Sequence, residues 1–532
     1  MGKQRVLIVG AGPTGMIVAL QLTQHGIPVR IIDRLPAPVT TSRAFTIHAR
    51  TLELLGTVGL AEPFLASGIE VYSMDYHFPG MEQTPRLDFR ALESRFGLCL
   101  TINQADTEAI LRKRLEARGV SIEWSTTLES CGVPEEDEQE GVEVKLQGAG
   151  GHESAVFDWL VGCDGIHSRV REQLALPFDG HEYQGTMRMM DVPVTGLRVG
   201  DDAIHYFIAK EHMLLVSKLP GANYRVLVSD KSEVAEVPPP EEARAAFQQI
   251  VDGHFGGEVV LGSPVWTTHF RISRRKVDSF RRGRVFLAGD AAHVNSPAGG
   301  QGMNVAMQDG FNLGWKLGLV MGGHAPVSLL DSYEVERAPV AQQMLDGTSY
   351  IHSIIMAHGQ GMTERIERIR ADGWNERAVS QIAGLSYTYC PDGIGEQGAV
   401  PRVGDRAPDS AALHDAPLYE RVASSGYTLM VGLADEETAS NALAVVDSLD
   451  ALRGRLRVPV DLRLIAAPAL TRALAEAGHP VVVDDGAWRT RYGARATSTV
   501  FVLRPDCHID YVGDPRAIEP LAEHLMTRSL SR

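Results

Sequence analysis

Two short stretches combine glycines, a carboxylate and the start of a helix, a pattern suited to gripping phosphates and sugar hydroxyls. The first is Gly10-Ala11-Gly12-Pro13-Thr14-Gly15, which follows an apolar strand and opens a helix. Gly10 permits the tight turn, Gly12 lets the backbone approach a pyrophosphate, and Gly15 lets the helix pack close to the sheet. The helix N-terminus, with Pro13 and Thr14 in its first turn, offers free N–H groups and a partial positive charge to the phosphates. A second strand, "PVRIID", ends at Asp33 with Arg34 beside it, about 20 residues on, where a carboxylate accepts from a ribose hydroxyl.

The second stretch is "VFLAGDAAHVNSPAGGQGMN", residues 285–304. A buried strand ends at Gly289-Asp290, and a glycine-crowded loop then enters a helix near Gly302. The first motif alone fits an NAD dehydrogenase, but the second changes the reading. NAD has two riboses and no extended polyol, whereas FAD carries a ribitol chain whose hydroxyls Asp290 can accept. The loop from Pro297 through Gly300, Gly302 and Met303 to Asn304 can offer N–H groups to the isoalloxazine carbonyls. A helix N-terminus there stabilises the negative charge of a reduced flavin. His293 reads as a packing and hydrogen-bonding residue rather than a proton carrier.

These residues need an α/β frame: a Rossmann-like FAD-binding domain, an inserted mainly antiparallel sheet, and a separate C-terminal α/β domain. Residues 1–180 hold the first part of the FAD-binding domain, with an excursion to the substrate side near 70–100. Residues 181–275, with runs such as "AIHYFIA", "HMLLVSKL" and "YRVLVSD", form the inserted sheet. Residues 276–395 return to the first domain and add helices, with an irregular segment from 370. The stretch "VPRVGDRAPDSAAL" reads as a linker, and 400–532 form the last domain. "PEEDEQEG" at 134–141 reads as a solvated hairpin loop.

Composition narrows the function. Net charge is -16, from 51 basic and 67 acidic residues, which argues against a nucleic-acid partner. No apolar run is long enough to span a membrane, and no secretory leader precedes the first strand, so a cytoplasmic protein is expected. The five cysteines are dispersed, without C-x-x-C, and no histidine pair with metal-ligand spacing lies near a cysteine or carboxylate cluster, so neither a disulfide framework nor a metal site is expected.

Three motifs in this order resemble the group A flavoprotein monooxygenases of the p-hydroxybenzoate hydroxylase fold: "GAGPTG" at 10–15, "CDGIHSRVR" at 163–171 and "AGDAAHVNSPAGGQGMN" at 288–304. The stretches "TIHARTLE", "GDDAIHYF", "LPGANYRVLVSD" and "PVAQQMLDGT" are similar to the pentachlorophenol 4-monooxygenase branch of the phenol hydroxylases. The resemblance implies bound FAD, transient NADPH or NADH, O2 as co-substrate, and hydroxylation of a small phenolic substrate through a C4a-hydroperoxyflavin. It assigns Asp164, Gly165, Ser168 and Arg171 to the Asp-Gly motif touched by FAD and the passing nicotinamide. It also places Arg43 beside both cofactors and Gln104 beside the flavin. It further implies a thioredoxin-like C-terminal domain after "GDRAPD", here without the cysteines for dithiol exchange, and a homodimer as a family expectation.

Deprotonation to the phenolate raises the nucleophilicity of a phenol ring and needs a base or a cation nearby, and the inserted sheet offers the candidates. In "AIHYF" His205 and Tyr206 point to opposite faces and only one can line the pocket; the resemblance favours Tyr206. By the same alternation Arg225 could stabilise the phenolate while Tyr224 packs elsewhere. Tyr387 and Tyr389 lie in the irregular segment that could cover the pocket, and Met187, Met189 and Met190 read as core before pocket. An FAD reductase or epoxidase of the same fold is the alternative enzyme, and a structural flavin module the non-enzymatic one; the intact Asp-Gly motif and Arg43 argue against the latter.

Overall fold

The computed structural model describes residues 5–41, 44–132, 141–231, 236–356, 361–371, 374–390, 399–409 and 418–528. Arg43 and the acidic stretch 134–140 lie outside them. The apolar strands Val6–Val9, Val29–Ile32, Trp159–Gly162 and Val285–Leu287 pair in parallel and are almost wholly buried. Continuous apolar runs of this kind suit a sheet covered on both faces. Ile122–Glu123 adds at one edge and Arg281–Arg282 at the other, giving six strands. At the centre the first glycine turn passes very close to the end of the third parallel strand. Gly10 has φ +102°, and a Cβ there would lie 2.3 Å from the Cys163 carbonyl oxygen.

The helix Pro13–Gln24 leaves that turn and packs against the long buried helix Gly302–Met321. Their approach depends on Gly310 and Gly314. A Cβ at these positions would lie 2.9 Å from the Thr14 carbonyl oxygen and 2.4 Å from Gln21 Cβ, respectively. The glycine spacing brings the two stretches first read as phosphate and polyol sites to one place.

A nine-stranded sheet forms the second layer. Its long strands Phe178–Thr195, Asn223–Asp230, His212–Lys218 and Ala203–Ile208 are antiparallel neighbours. Ser73–His77 joins Ala203–Ile208 in parallel, which brings in the 70–100 excursion. Trp266–Val277 closes the other side and hands the chain back to the first sheet. The stretch from 370 is not irregular throughout: Trp374–Ile382 is a helix with Trp374, Ala378, Val379 and Ile382 buried at helical spacing.

The last domain is a mixed sheet in the order Val481–Val483, Val460–Ala466, Tyr427–Gly432, Thr499–Leu503, Ile509–Gly513, with the first three strands parallel. The described part of the segment read as a linker is bound to it: Gly404 N–H donates to Ile509 O (2.8 Å) and Ala407 N–H to Cys507 O (2.9 Å). Among the described residues no helix is long and apolar enough to cross a membrane.

Buried ion pairs join this domain to the first. Arg504 donates to both oxygens of Glu336 (2.8 and 2.9 Å), and Lys316 donates to the same carboxylate (2.7 Å). Burial alone would raise the Glu336 carboxyl, but Arg504 and Lys316 outweigh it and hold it at about 2, below the ordinary 4.5. A depressed carboxyl contributes stability above its unfolded value and loses it as the pH falls through the folded one. Thermal midpoints should therefore hold above pH 4.5 and drop on acidification towards pH 2, and Glu336→Gln should flatten that part of the profile.

Candidate active site

A cavity of about 710 Å³ runs from the first glycine turn to the apolar face of the large sheet. Gly12, Pro13, Thr14, Gln104, Gly165 and Asp290 line one end, followed by Pro297, Gly300, Gly302 and Met303. Two helices begin at this wall, Pro13–Gln24 and Gly302–Met321. Neither has a side-chain cap or an acidic residue in its first turn. Uncapped N–H groups and the positive helix ends are then available to an anion. A Cβ at Gly12 or Gly165 would meet no protein atom within 4 Å, so glycine at both positions leaves open space on the cavity wall. These features fit FAD, with the pyrophosphate at the first helix, a polyol beside Asp290 and the ring against the second helix.

Other residues of the motifs stand behind this wall and shape it. Asp33 accepts from Ala11 N–H (2.8 Å) and Leu35 N–H (2.9 Å), so its carboxylate is stationed over the glycine turn with lone pairs to spare. Gly10 and Gly15 are packing positions, and Arg34 is exposed. Asp164 closes its own turn by accepting from Ser168 Oγ (2.6 Å) and from the Arg169 and Val170 amides; burial pushes its carboxyl up in spite of them. Arg171 does not face the cavity. It donates to the carbonyls of Ala291 (2.9 Å) and Ile166 (2.6 Å), tying the middle motif to the Asp290 loop. Asn304 is also turned away. It donates to Thr46 O and Gly300 O (both 2.9 Å) and accepts from the His48 amide (2.8 Å). Gly289, at φ +62°, donates its N–H to Asp309 (3.1 Å).

The far end of the cavity is apolar. Ile204, Tyr206, Leu215, Leu227, Trp266 and Phe270 line it, with Met74, Met187, Met189, Met213 and Met356. Met187 and Met189 are thus both core and pocket, while Met190 packs on the opposite face with Val192 and Phe247. Thioether side chains adapt their shape to an irregular ligand. Tyr206 stacks on Tyr76 at 4.9 Å, and Trp374 meets Tyr76 edge-on at 5.9 Å. Burial pushes the Tyr206 phenol up, so it is protonated at neutral pH and suited to donating rather than to acting as a base.

Four pocket candidates fall elsewhere. His205 lies on the reverse face of the sheet, where Nε2 donates to Gly200 O (2.9 Å) and Nδ1 faces His77 Nε2 (3.1 Å). Arg225 is only 1% exposed and grips Asp191 with two bonds of 2.8 Å. Its guanidinium backs Phe45 and Trp266, which do line the cavity. Tyr387 donates to Gln301 Oε1 (2.7 Å) behind the glycine loop. Tyr389 belongs to the contact with the last domain, stacked on His508 at 4.1 Å. Strand alternation alone left Arg225 open to either role; its partner Asp191 comes from a neighbouring strand, and pairing register is not readable from one strand. The cation that does line the cavity, Arg271, was missed, as were Thr268 and Ser273 on the same strand. So was His48, which donates from Nε2 to Gly299 O (2.8 Å) and which burial brings down to about 4.

A cradle for a dinucleotide that opens directly onto an aromatic-walled pocket defines a flavin-dependent oxidoreductase acting on an apolar ring. The FAD binding domain family matches residues 3–348, and the chain belongs to that family. It is 38% identical over 515 residues to pentachlorophenol 4-monooxygenase of Sphingobium chlorophenolicum, which covers 95% of this chain and 93% of that one. It is 31% identical over 468 residues to the 12-dehydrotetracycline 5-monooxygenase/anhydrotetracycline 6-monooxygenase of Streptomyces rimosus subsp. rimosus, over 84% of this chain and 88% of the relative. The solved anhydrotetracycline hydroxylase from Streptomyces rimosus superposes with a TM-score of 0.75 at 27% identity, over 98% of both chains. The protein is an FAD-dependent aromatic monooxygenase, as the motifs implied.

Arg225 and Arg271 should separate on mutation. Arg225→Met strands the Asp191 carboxylate and should cost about 3 kcal/mol of stability, seen as a lower thermal midpoint. Arg271 is 66% exposed, with Glu182 at 3.7 Å. Arg271→Ala should change stability by less than about 0.5 kcal/mol and act on substrate KM instead.

Proposed function

We propose that the protein hydroxylates a phenolic ring as a single-component enzyme, drawing electrons from NADPH or NADH and the oxygen atom from O2. One observation carries this reading: the uncapped start of the Gly302–Met321 helix and the Tyr206 wall border the same continuous cavity. FAD, when bound there, accepts a hydride from the nicotinamide and delivers one oxygen atom of O2 to the ring.

The protein's own part is to bind, orient and keep water out. Gly12 through Thr14 and the helix behind them take the pyrophosphate, and Asp290 accepts hydroxyls of the ribitol. The amides at the start of the Gly302–Met321 helix stabilise negative charge on the reduced ring, the Gly300 N–H being held by Pro297 O (3.0 Å). The methionine and aliphatic wall excludes water from the oxygen-transfer step, which otherwise ends in hydrogen peroxide. Tyr206 is the donor on that wall, and Arg271 supplies positive charge at its rim, which together favour a bound phenolate over the neutral phenol. The nicotinamide approaches transiently past the Asp164-Gly165 turn.

The test follows NADPH loss and hydrogen peroxide together, with a panel of chlorinated, nitro-substituted and polycyclic phenols. A true substrate should speed NADPH oxidation at least about tenfold while little of the flux appears as peroxide. Faster oxidation with all of it recovered as peroxide would make phenols effectors only and favour a reductase. No response to any phenol would overturn the phenolic assignment.

A further inference from the structure

The last domain reaches the flavin loop through a chain of largely buried polar contacts. It starts at the turn Arg504–His508. Asp506 Oδ2 accepts from Asn312 Nδ2 (3.2 Å), in the middle of the helix whose N-terminus borders the cavity. The Tyr389 hydroxyl accepts from the same Asn312 Nδ2 (3.3 Å) and from Arg337 Nη1 (3.2 Å), and its ring is stacked on His508. Arg337 Nε donates to Asp309 Oδ1 (2.7 Å). Asp309 Oδ2 in turn accepts from His293 Nε2 (2.7 Å) and from the amide of Gly289 (3.1 Å), the residue before Asp290.

Asp506, Asn312, Arg337, Asp309 and His293 are buried and cannot exchange their partners for water, while Tyr389 is partly buried and held by its stacking on His508. Asp309 is the decisive member. Burial would raise its carboxyl, but Arg337 and His293 hold it down, so it remains an anion that draws the Gly289 amide inward. Gly289 sits in the left-handed region, and a Cβ there would lie 2.7 Å from Thr14 Oγ1. The hydrogen bond from the Gly289 amide to Asp309 therefore sets both the entry angle of Asp290 and its distance from the first glycine turn. Arg337 is bound on one side by Asp309 and on the other by Tyr389, whose own position depends on the last domain.

We propose that the C-terminal domain is a positioning element for the flavin, acting through Asp506, Tyr389 and Arg337 on Asp309 and so on the Gly289–Asp290 turn. None of these residues lines the cavity; they act through the backbone that does. The domain, which has no dithiol and lies away from the cavity, thereby has a part in the reaction. This rests on the reading of the cavity as the FAD site.

Three full-length variants test it: Tyr389→Phe, which removes one hydroxyl, Asp506→Asn, and Asp484→Asn as control. Asp484 is as buried as Asp506 and holds Arg489 (3.0 Å) inside the same domain, with no link to the chain described. FAD affinity is read by quenching of flavin fluorescence on titrating the apoprotein. The visible absorption envelope of the bound flavin and the thermal midpoint are read on the same samples. Tyr389→Phe and Asp506→Asn should weaken FAD binding by about five- to tenfold and shift the flavin envelope. Asp484→Asn should lower the thermal midpoint while leaving affinity and envelope at the wild-type values. Wild-type affinity and envelope in both test variants would overturn the proposal, as would an equal effect of Asp484→Asn. Should Asp506→Asn fail to fold, Tyr389→Phe decides alone. A wild-type protein that binds no FAD would instead remove the site itself, an outcome distinct from loss of the coupling.

Discussion

The close approach of backbones around the first glycine turn is the constraint on which the rest of the structure depends. A Cβ at Gly10 would meet the Cys163 carbonyl at 2.3 Å, and one at Gly15 would meet the Gly10 carbonyl at 2.0 Å. With both positions bare, the helix Pro13–Gln24 can start almost on top of the parallel strands. The absent side chains of Gly310 and Gly314 then let the helix Gly302–Met321 pack on it at equally short range. Two helix N-termini that are far apart in the chain so come to face one cavity. Their partial charges and free amides are directed to one end of it, and the sheet of the inserted domain supplies the other, apolar end.

Such a site divides the labour between backbone and side chains. In the proposed reading, anion and polyol recognition rests on amides and on the carboxylates Asp33 and Asp290, which need exact turns more than particular neighbours. In the same reading, substrate recognition rests on the wall of methionine, aliphatic and aromatic groups that lines the cavity, which needs volume more than exact bonds. The buried ions are used differently again. Arg225 with Asp191, Arg337 with Asp309, and Arg504 with Glu336 and Asp506 touch nothing in the cavity. Each leaves a charge that is costly to strand, so each fixes the relative position of two elements.

Much of this was legible in the sequence, for reasons that differ by residue. The glycine turns, Asp33 and the Asp290 loop could be read because turn chemistry is local: a few adjacent residues specify it. The antiparallel character of the inserted sheet could be read from period-2 alternation. What alternation does not report is which strand lies next to which. Alternation leaves Arg225 open to pocket or packing because its partner Asp191 sits on another strand, and nothing local to the sequence marks Arg271 as a cavity residue. Tyr387 and Tyr389 were placed over the pocket because the segment looked irregular. The helix Trp374–Ile382 and the docking of residues 399–409 on the last domain turn both tyrosines inward instead. Polar contacts between domains have no local signature, and for that reason Asp506 and Asp309 gave no sign of belonging together.

The claim at the centre of this account is that the two glycine stretches build one site for one flavin. The most direct measurement is the stoichiometry and chemistry of the chromophore in the purified protein, by visible absorbance, acid release and mass spectrometry. The account predicts one FAD per chain, released intact and non-covalently, and rebound by the apoprotein with quenching of its fluorescence. A protein that carries no flavin and neither binds nor quenches added FAD, or that prefers NAD to FAD, would contradict it.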